Sequence, residues 1–277
     1  KSDKVKLIKG DIEDYDFVYN HMSGVDYCFH MAAIRINLCS VEHTAAFKTL
    51  AEGTFNVIQA CIKQNVTKLV AASSASVYGT ADTFPTDENH HPYNNRTFYG
   101  ALKTFNELMM RSFNETNNLN YLSLRFFNLY GPRMDTDGKY TEVLIKWYKL
   151  IKAGKSPLIY GDGKQTMDFV NVMDVARSCV LALQAECTDE IFNIASGTEV
   201  SLEGLCHQML KAMNSDLKPE YIEIPEERSK VEVTRRKAET KKAKDLLGFE
   251  YSIQLEEGLK QLVSWLDSLD KTETDNL

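Results

Sequence analysis

The stretch from Val25 to Ser74 limits the possible folds more than any other part of the chain, because two apolar runs flank one segment of helical period. Val25-Asp26-Tyr27-Cys28-Phe29-His30-Met31 and Lys68-Leu69-Val70-Ala71-Ala72 lack the polar alternation of a half-solvated strand. Runs of that kind belong in a parallel sheet covered by helices on both faces. Between them, residues 44–64 place Phe47, Leu50, Phe55, Ile58, Ala60 and Cys61 at helical positions, with Gly53 allowing close approach. Strand, helix, strand is a βαβ unit with a right-handed crossover. Ligands of such sheets gather at the carboxyl ends of the strands, here Ala32-Ala33 and Ser73-Ser74.

The same reading extends along the chain. Val5-Lys6-Leu7-Ile8 reads as a strand running into Gly10-Asp11, and Asp14 to Met22 as a short helix. Residues 80–96 form a loop, followed by a helix from Tyr99 to about Thr116 and a strand from Tyr121 to Phe126. Beyond Pro132 the pattern predicts a helix over Glu142–Ala153, strands at Pro157–Tyr160 and Asp168–Val172, and a tight turn at Gly161-Asp162-Gly163. Asp174 reads as the N-cap of a helix to Gln184, and Ile191–Ala195 as a last sheet strand. Ser201 caps a helix to about Met213, residues 238–248 form one ending at Gly248, and Glu256–Leu269 closes the chain before a fraying Thr272–Leu277.

Within this frame Tyr99 and Lys103 stand one helical turn apart, so the phenol and the ammonium can face one small volume. A phenol titrates near pH 10 unaided, and a neighbouring ammonium brings it closer to the range of a general base. The Ser74 hydroxyl at a strand end could complete a short proton relay. An isolated pair of this spacing is a solvated helix face, so its chemistry depends on context.

That context resembles the extended short-chain dehydrogenase/reductase family, in its nucleotide-sugar epimerase/dehydratase branch. The resemblance rests on Gly10-Asp11-Ile12, His30-Met31-Ala32-Ala33, Ser73 to Gly79, Tyr99 with Lys103, Leu124 to Arg133, and Tyr160-Gly161-Asp162-Gly163. It implies an α/β fold: a doubly wound Rossmann-type parallel sheet, N-terminally incomplete, with a smaller α+β substrate lobe. Residues 1–131 and 168–197 would form the dinucleotide-binding domain, and 132–167 with 198–277 the nucleotide-sugar lobe. The glycine-rich turn of such folds does not occur in the sequence, so the first two strands and one helix are expected to lie outside the chain. By the same resemblance the cofactor is NAD, held by Asp11, Ile12, Met31, Ala32, Ala33, Arg35, Ser73, Tyr99, Lys103 and Phe126. Ser74, Ser76, Tyr99 and Lys103 are the catalytic candidates. Ser74, Phe127, Asn128, Arg133, Arg228 and Arg236 are the substrate candidates. Read without the resemblance, Arg35 is a surface charge, Phe126 and Phe127 are core, and Asn128 is a turn residue.

Relatives that eliminate water carry an Asp-Glu pair after the strand hydroxyl, where this chain has Ala75 and Ser76. The resemblance therefore implies epimerisation at C4 of a nucleoside-diphosphate hexose, a UDP-sugar first. Another nucleotide-sugar reductase or dehydratase, or a non-catalytic binding protein, is the alternative. Met167 stands where relatives have an arginine on the diphosphate, and Arg228, Arg235 or Arg236 could replace it. The alternative for the run Arg235-Arg236-Lys237 is a solvated helix face. The Tyr99 helix and the one before it are expected to form a homodimer.

A net charge of −7 with interspersed signs argues against a nucleic-acid partner. No apolar run reaches the ~18 residues of a membrane span, and no secretory leader is evident. Six scattered cysteines without a C-x-x-C pair suit free thiols, hence a cytoplasmic setting. No metal site is expected, and His90-His91 reads as part of a polar loop because no carboxylate or cysteine on a regular element is spaced to join it.

Overall fold

The computed structural model describes residues 4–137, 142–224 and 233–274. In chain order the elements are α1 (Tyr15–His21), β1 (Tyr27–His30), α2 (Ile36–Cys39), α3 (His43–Phe47), a π-turn (Lys48–Glu52), α4 (Gly53–Lys63) and β2 (Lys68–Ser74). A 3-10 turn (Ala75–Tyr78), α5 (Phe98–Asn117), β3 (Tyr121–Phe126), β4 (Asn128–Tyr130), α6 (Val143–Lys152), β5 (Leu158–Tyr160), β6 (Thr166–Met167) and β7 (Phe169–Asn171) follow. The rest are α7 (Val172–Gln184), β8 (Glu190–Ile194), β9 (Val200–Ser201), α8 (Leu202–Ala212), β10 (Glu220–Ile222), α9 (Lys241–Leu247) and α10 (Leu255–Thr274). They form two compact units: residues 1–77, 97–124 and 186–191, and residues 78–96, 125–185 and 192–277. These packing units are cut at other places than the cofactor and substrate domains read from the sequence.

The first unit holds the βαβ frame. Strand order is β1-β2-β3-β8, with β1 parallel to β2 and Tyr27 opposite Lys68; β3 and β8 enter this unit by their first residues. Leu69, Tyr121, Ile58, Cys61, Val18 and Met110 make a dry core between strands and helices, and a second cluster joins Cys39, Ala46, Leu50 and Leu102. Gly53 opens α4 where a Cβ would lie 2.6 Å from the Ile12 side chain, so the close approach expected of this glycine is present.

Two expectations for this unit fail. Val5–Ile8 is not a strand: it pairs with nothing among the described residues, and Val5 and Leu7 are 74% and 95% exposed. Apolar β-formers cannot hold a strand without a ladder partner. β1 was also expected to be covered on both faces, yet Tyr27 and Phe29 are 50% and 44% exposed. Only its Cys28 and His30 face is packed against the helices, and β1 is the end strand in the sheet order.

In the second unit Leu144, Trp147 and Tyr148 of α6, Leu205 and Met209 of α8, and Leu259 and Leu262 of α10 form the core. Three small strand pairs surround it: β4 with β7 and β5 with β10, both parallel, and β6 with β9, antiparallel. Asn171, not Asp174, caps α7; its side chain accepts the Met173 N–H at 2.9 Å. Asp174 lies buried inside the first turn, where its carboxylate accepts from Arg177, Ser252 and Ile253. α9 begins three residues later than the pattern suggests, because the Ala238 N–H is committed to the Asp168 carboxylate instead of a helix. α10 runs on to Thr274, past the expected end, so the fraying expected from Thr272 is not seen as far as Thr274. No helix among the described residues is long and apolar enough to cross a membrane.

Candidate functional site

The carboxyl end of β2 and the first two turns of α5 meet inside the first unit. Thr97 caps α5 by accepting the Gly100 N–H at 3.1 Å, which puts Tyr99 in the first turn and Lys103 in the next, on one side of the helix. The Tyr99 phenol stands near enough to the Ser74 hydroxyl for Ser74 to favour the phenolate. Ser74 Oγ also accepts the Ser76 N–H at 3.1 Å, so the 3-10 turn after β2 holds this oxygen in place. Ser76 contributes its backbone here; its own side chain is buried.

Lys103 is nearly fully buried and donates from Nζ to the Ala72 carbonyl at 2.6 Å, with Nζ 5.8 Å from the Tyr99 ring centroid. Burial pulls its pKa down to about 8, with the Glu107 carboxylate opposing. The expected depression of the Tyr99 pKa is not what this geometry produces. Burial pushes the phenol up, and the hydrogen bond from Ser74 is what opposes it. The ammonium is drawn onto a strand carbonyl and is itself weakened by burial, so it adds no net lowering at the phenol.

Three further residues join this cluster. Glu107, one turn beyond Lys103, is buried and accepts from Ser73 Oγ at 2.5 Å. His30, at the end of β1, hydrogen-bonds Thr54 through Nε2 at 2.9 Å; burial and then the Lys103 charge push it down to about 4, so it is neutral. Spacing alone could have flagged Glu107, since positions 99, 103 and 107 lie along one helix face. Nothing local could have flagged Thr54, which reaches His30 through the βαβ packing.

The other candidates separate. At the end of β1, Met31, Ala32, Ala33 and Arg35 are exposed, and Arg35 precedes α2. Asp11 caps its own turn by accepting the Glu13 N–H at 3.0 Å, while Ile12 packs against Gly53 and the core. In the second unit Phe126 is half-buried and Phe127 buried, the latter 6.2 Å from the Tyr78 ring. Asn128 donates from Nδ2 to the Asp168 carbonyl at 2.9 Å, and exposed Arg133 adopts φ 70°. Arg235 is bound bidentately to Glu199 at 2.9 and 2.7 Å, and is thereby removed as a diphosphate replacement. Arg236 is half-buried and enclosed, its guanidinium pulled down to about 10 by desolvation alone. Arg228 lies outside the described residues.

Residues 1–195 match the profile described as the NAD dependent epimerase/dehydratase family. The chain belongs to this family. A putative UDP-glucose 4-epimerase of Methanocaldococcus jannaschii is 33% identical over 273 residues, covering 97% of this chain and 86% of that protein. A UDP-N-acetyl-alpha-D-glucosaminuronate decarboxylase of Bacillus cytotoxicus is 28% identical over 275 residues, 96% of this chain and 84% of its own length. Among solved structures, the UDP-glucose 4-epimerase of Thermotoga maritima with UDP-glucose superposes with a TM-score of 0.90 at 28% identity, covering 97% of this chain and 86% of that one. The fold of this family member is therefore the Rossmann-type α/β fold, and its cofactor is NAD.

The residues present fit a dinucleotide. Ala32 and Ala33 leave the backbone bare at the carboxyl end of β1, the place where a flat ring system reaches such a sheet. Beside β1, β2 ends in Ser73 and Ser74, and α5 brings Tyr99 and Lys103 to the same strand end.

Proposed function

We propose that this family member catalyses epimerisation at C4 of a nucleoside-diphosphate hexose, a UDP-sugar first, through a transient 4-keto sugar. The observation that carries the reading is Tyr99 set beside Ser74, with Lys103 one turn on and no carboxylate at positions 75 and 76. By the resemblance, elimination of water in relatives draws on acidic residues at those positions. Ala75 has no polar group and Ser76 only a buried hydroxyl, so neither can take that part. Epimerisation needs one group that removes the C4 hydroxyl proton and returns it, and Tyr99 fits it.

Bound NAD supplies the hydride acceptor and donor for this chemistry. In the chain itself, Ser74 orients the sugar hydroxyl and passes the proton to Tyr99. Lys103 holds the cofactor with Ala32, Ala33, Met31, Arg35, Ser73, Asp11 and Phe126. Ile12 acts only through backbone and packing. Arg236 meets the substrate diphosphate in place of an arginine at position 167; Asn128, Phe127, Arg133 and Arg228 complete the substrate contacts. The enclosed guanidinium of Arg236, with no acidic partner among the described residues, supports this assignment.

The functional form is a homodimer. Phe47 at the end of α3, Phe55 on α4 and Phe105 and Leu108 on α5 are 47%, 40%, 48% and 62% exposed, an apolar surface suited to a second copy of the same helices.

Tyr99→Phe tests the catalytic reading. Interconversion of UDP-glucose and UDP-galactose, followed by NMR of the sugar, should fall by roughly two to four orders of magnitude in this variant. UDP binding by calorimetry should stay within about a factor of three. Near-full turnover in Tyr99→Phe, or a dehydrated or decarboxylated product from the parent protein, would refute the proposal.

A further inference from the structure

We propose that Asp82, His90 and His91 bind a divalent cation of the zinc type. The sequence reading took His90-His91 for a polar loop because no carboxylate was spaced to join them. The segment is such a loop; it folds back after the 3-10 turn and brings Asp82 to both rings, with one ligand atom from each residue within 4.8 Å of the others.

The geometry at His90 is specific. Its side chain is 5% exposed, with the edge of the ring packed against Tyr78 at 5.8 Å. Nδ1–H donates to the His91 carbonyl at 2.8 Å, which puts the lone pair on Nε2, where only the long Asp82 N–H contact at 3.3 Å would have to be released for an ion. An Nδ1–H donating to a carbonyl is the arrangement by which a ligating histidine is oriented. Nε2 in turn accepts the Asp82 N–H at 3.3 Å and faces Asp82 Oδ1 at 2.8 Å. A bare nitrogen and a carboxylate oxygen repel at that distance unless a positive charge lies between them. A proton or a metal ion can supply it.

His91 adds the third donor. Its Nε2 lies 3.4 Å from the other carboxylate oxygen, Oδ2, and its ring stacks on His90 at 4.6 Å. Ring protons on both histidines account for the contacts as they stand, and a cation would use the same three groups. Its Nδ1 accepts the Tyr93 N–H at 3.3 Å; binding through Nε2 moves the ring proton to Nδ1, and this long contact is released. On metal binding any proton on His90 Nε2 leaves to solvent, and the ion takes its place. Two imidazole nitrogens with one carboxylate oxygen form a three-ligand set with an open fourth position. That donor set favours zinc, cobalt or nickel over magnesium or calcium, which demand oxygen. The cation would close the loop between Asp82 and His90, eight positions apart.

The test titrates the full chain with Zn2+ by calorimetry and with Co2+ by visible absorption. The expected result is one ion per chain, a ligand-field spectrum without thiolate charge transfer, and affinity lowered roughly tenfold or more in both Asp82→Asn and His91→Gln. Asp82 and His91 are exposed, so both variants should fold, which far-ultraviolet circular dichroism checks. His90→Gln should abolish binding. Undiminished affinity in both exposed variants, a thiolate band from the free cysteines, or no binding by the parent chain would overturn the proposal and leave a proton as the link between His90 and Asp82.

Discussion

Lys103 Nζ and the Ala72 carbonyl meet at 2.6 Å, so the cation that the Tyr99 spacing aims at the phenol is tethered to the strand that carries Ser73 and Ser74. Burial brings its pKa to about 8. The ammonium is present below that value and lost as pH rises through it. In the proposed site that charge helps to hold the cofactor, so kcat/KM should fall on the alkaline side with an apparent pKa near 8. Lys103→Met should lose the limb along with most of the activity. A parent profile flat to pH about 9 would contradict this.

Arg235 and Arg236 are neighbours with different commitments. Arg235 is already bound to Glu199, and its loss should leave substrate affinity nearly unchanged. Arg236→Ala should weaken UDP-sugar binding by about 1.5–3 kcal/mol, roughly ten- to a hundredfold, the range for a hydrogen bond to a charged group. Calorimetric titration of both variants with UDP-glucose decides the matter, and equal affinities would remove Arg236 from the diphosphate.

Leu108 projects from α5 with 62% of its surface exposed. If a second copy covers it, Leu108→Asp places a charge in that apolar contact and should shift the protein from dimer to monomer in light scattering at micromolar concentration. A parent chain that is monomeric there would dispose of the dimer.

Asp168 is wholly buried, and its carboxylate accepts from the N–H groups of Ser196, Gly197 and Ala238 and from Ser196 Oγ. Burial nonetheless pushes it up from 3.8 to about 6. The folded state then holds a proton in a range where the unfolded chain has released it. Stability from this group is complete below pH about 4 and is lost as pH rises through about 6. The margin by which the parent exceeds Asp168→Asn in urea unfolding should narrow by about 3 kcal/mol between those limits. An unchanging margin would show that the hydrogen bonds outweigh the burial.

The parts of this molecule legible in the sequence are those fixed by neighbours along the chain. The run Lys68–Ala72, the period of residues 44–64 and the Tyr99–Lys103 spacing each report a local geometry, and each appears in the structure as β2, the α3–α4 segment and one face of α5. The π-turn at Lys48–Glu52 interrupts that middle segment without breaking its period enough to be seen beforehand. What stayed hidden depends on distant partners. Asp174 has the chemistry of a cap, but Ser252 and Ile253 claim it from far along the chain. Asp82 joins His90 and His91 only because a loop with no periodicity doubles back. The fate of the Tyr99 proton turned on burial, a quantity that spacing does not carry.

β1 ends the sheet order with Tyr27 and Phe29 uncovered, and its outer backbone edge meets no strand among the described residues. A row of unpaired amides flanked by aromatic side chains is a template on which any extended chain can grow. One more extended segment laid along that edge would complete the ladder and cover the Tyr27 and Phe29 rings in the same step.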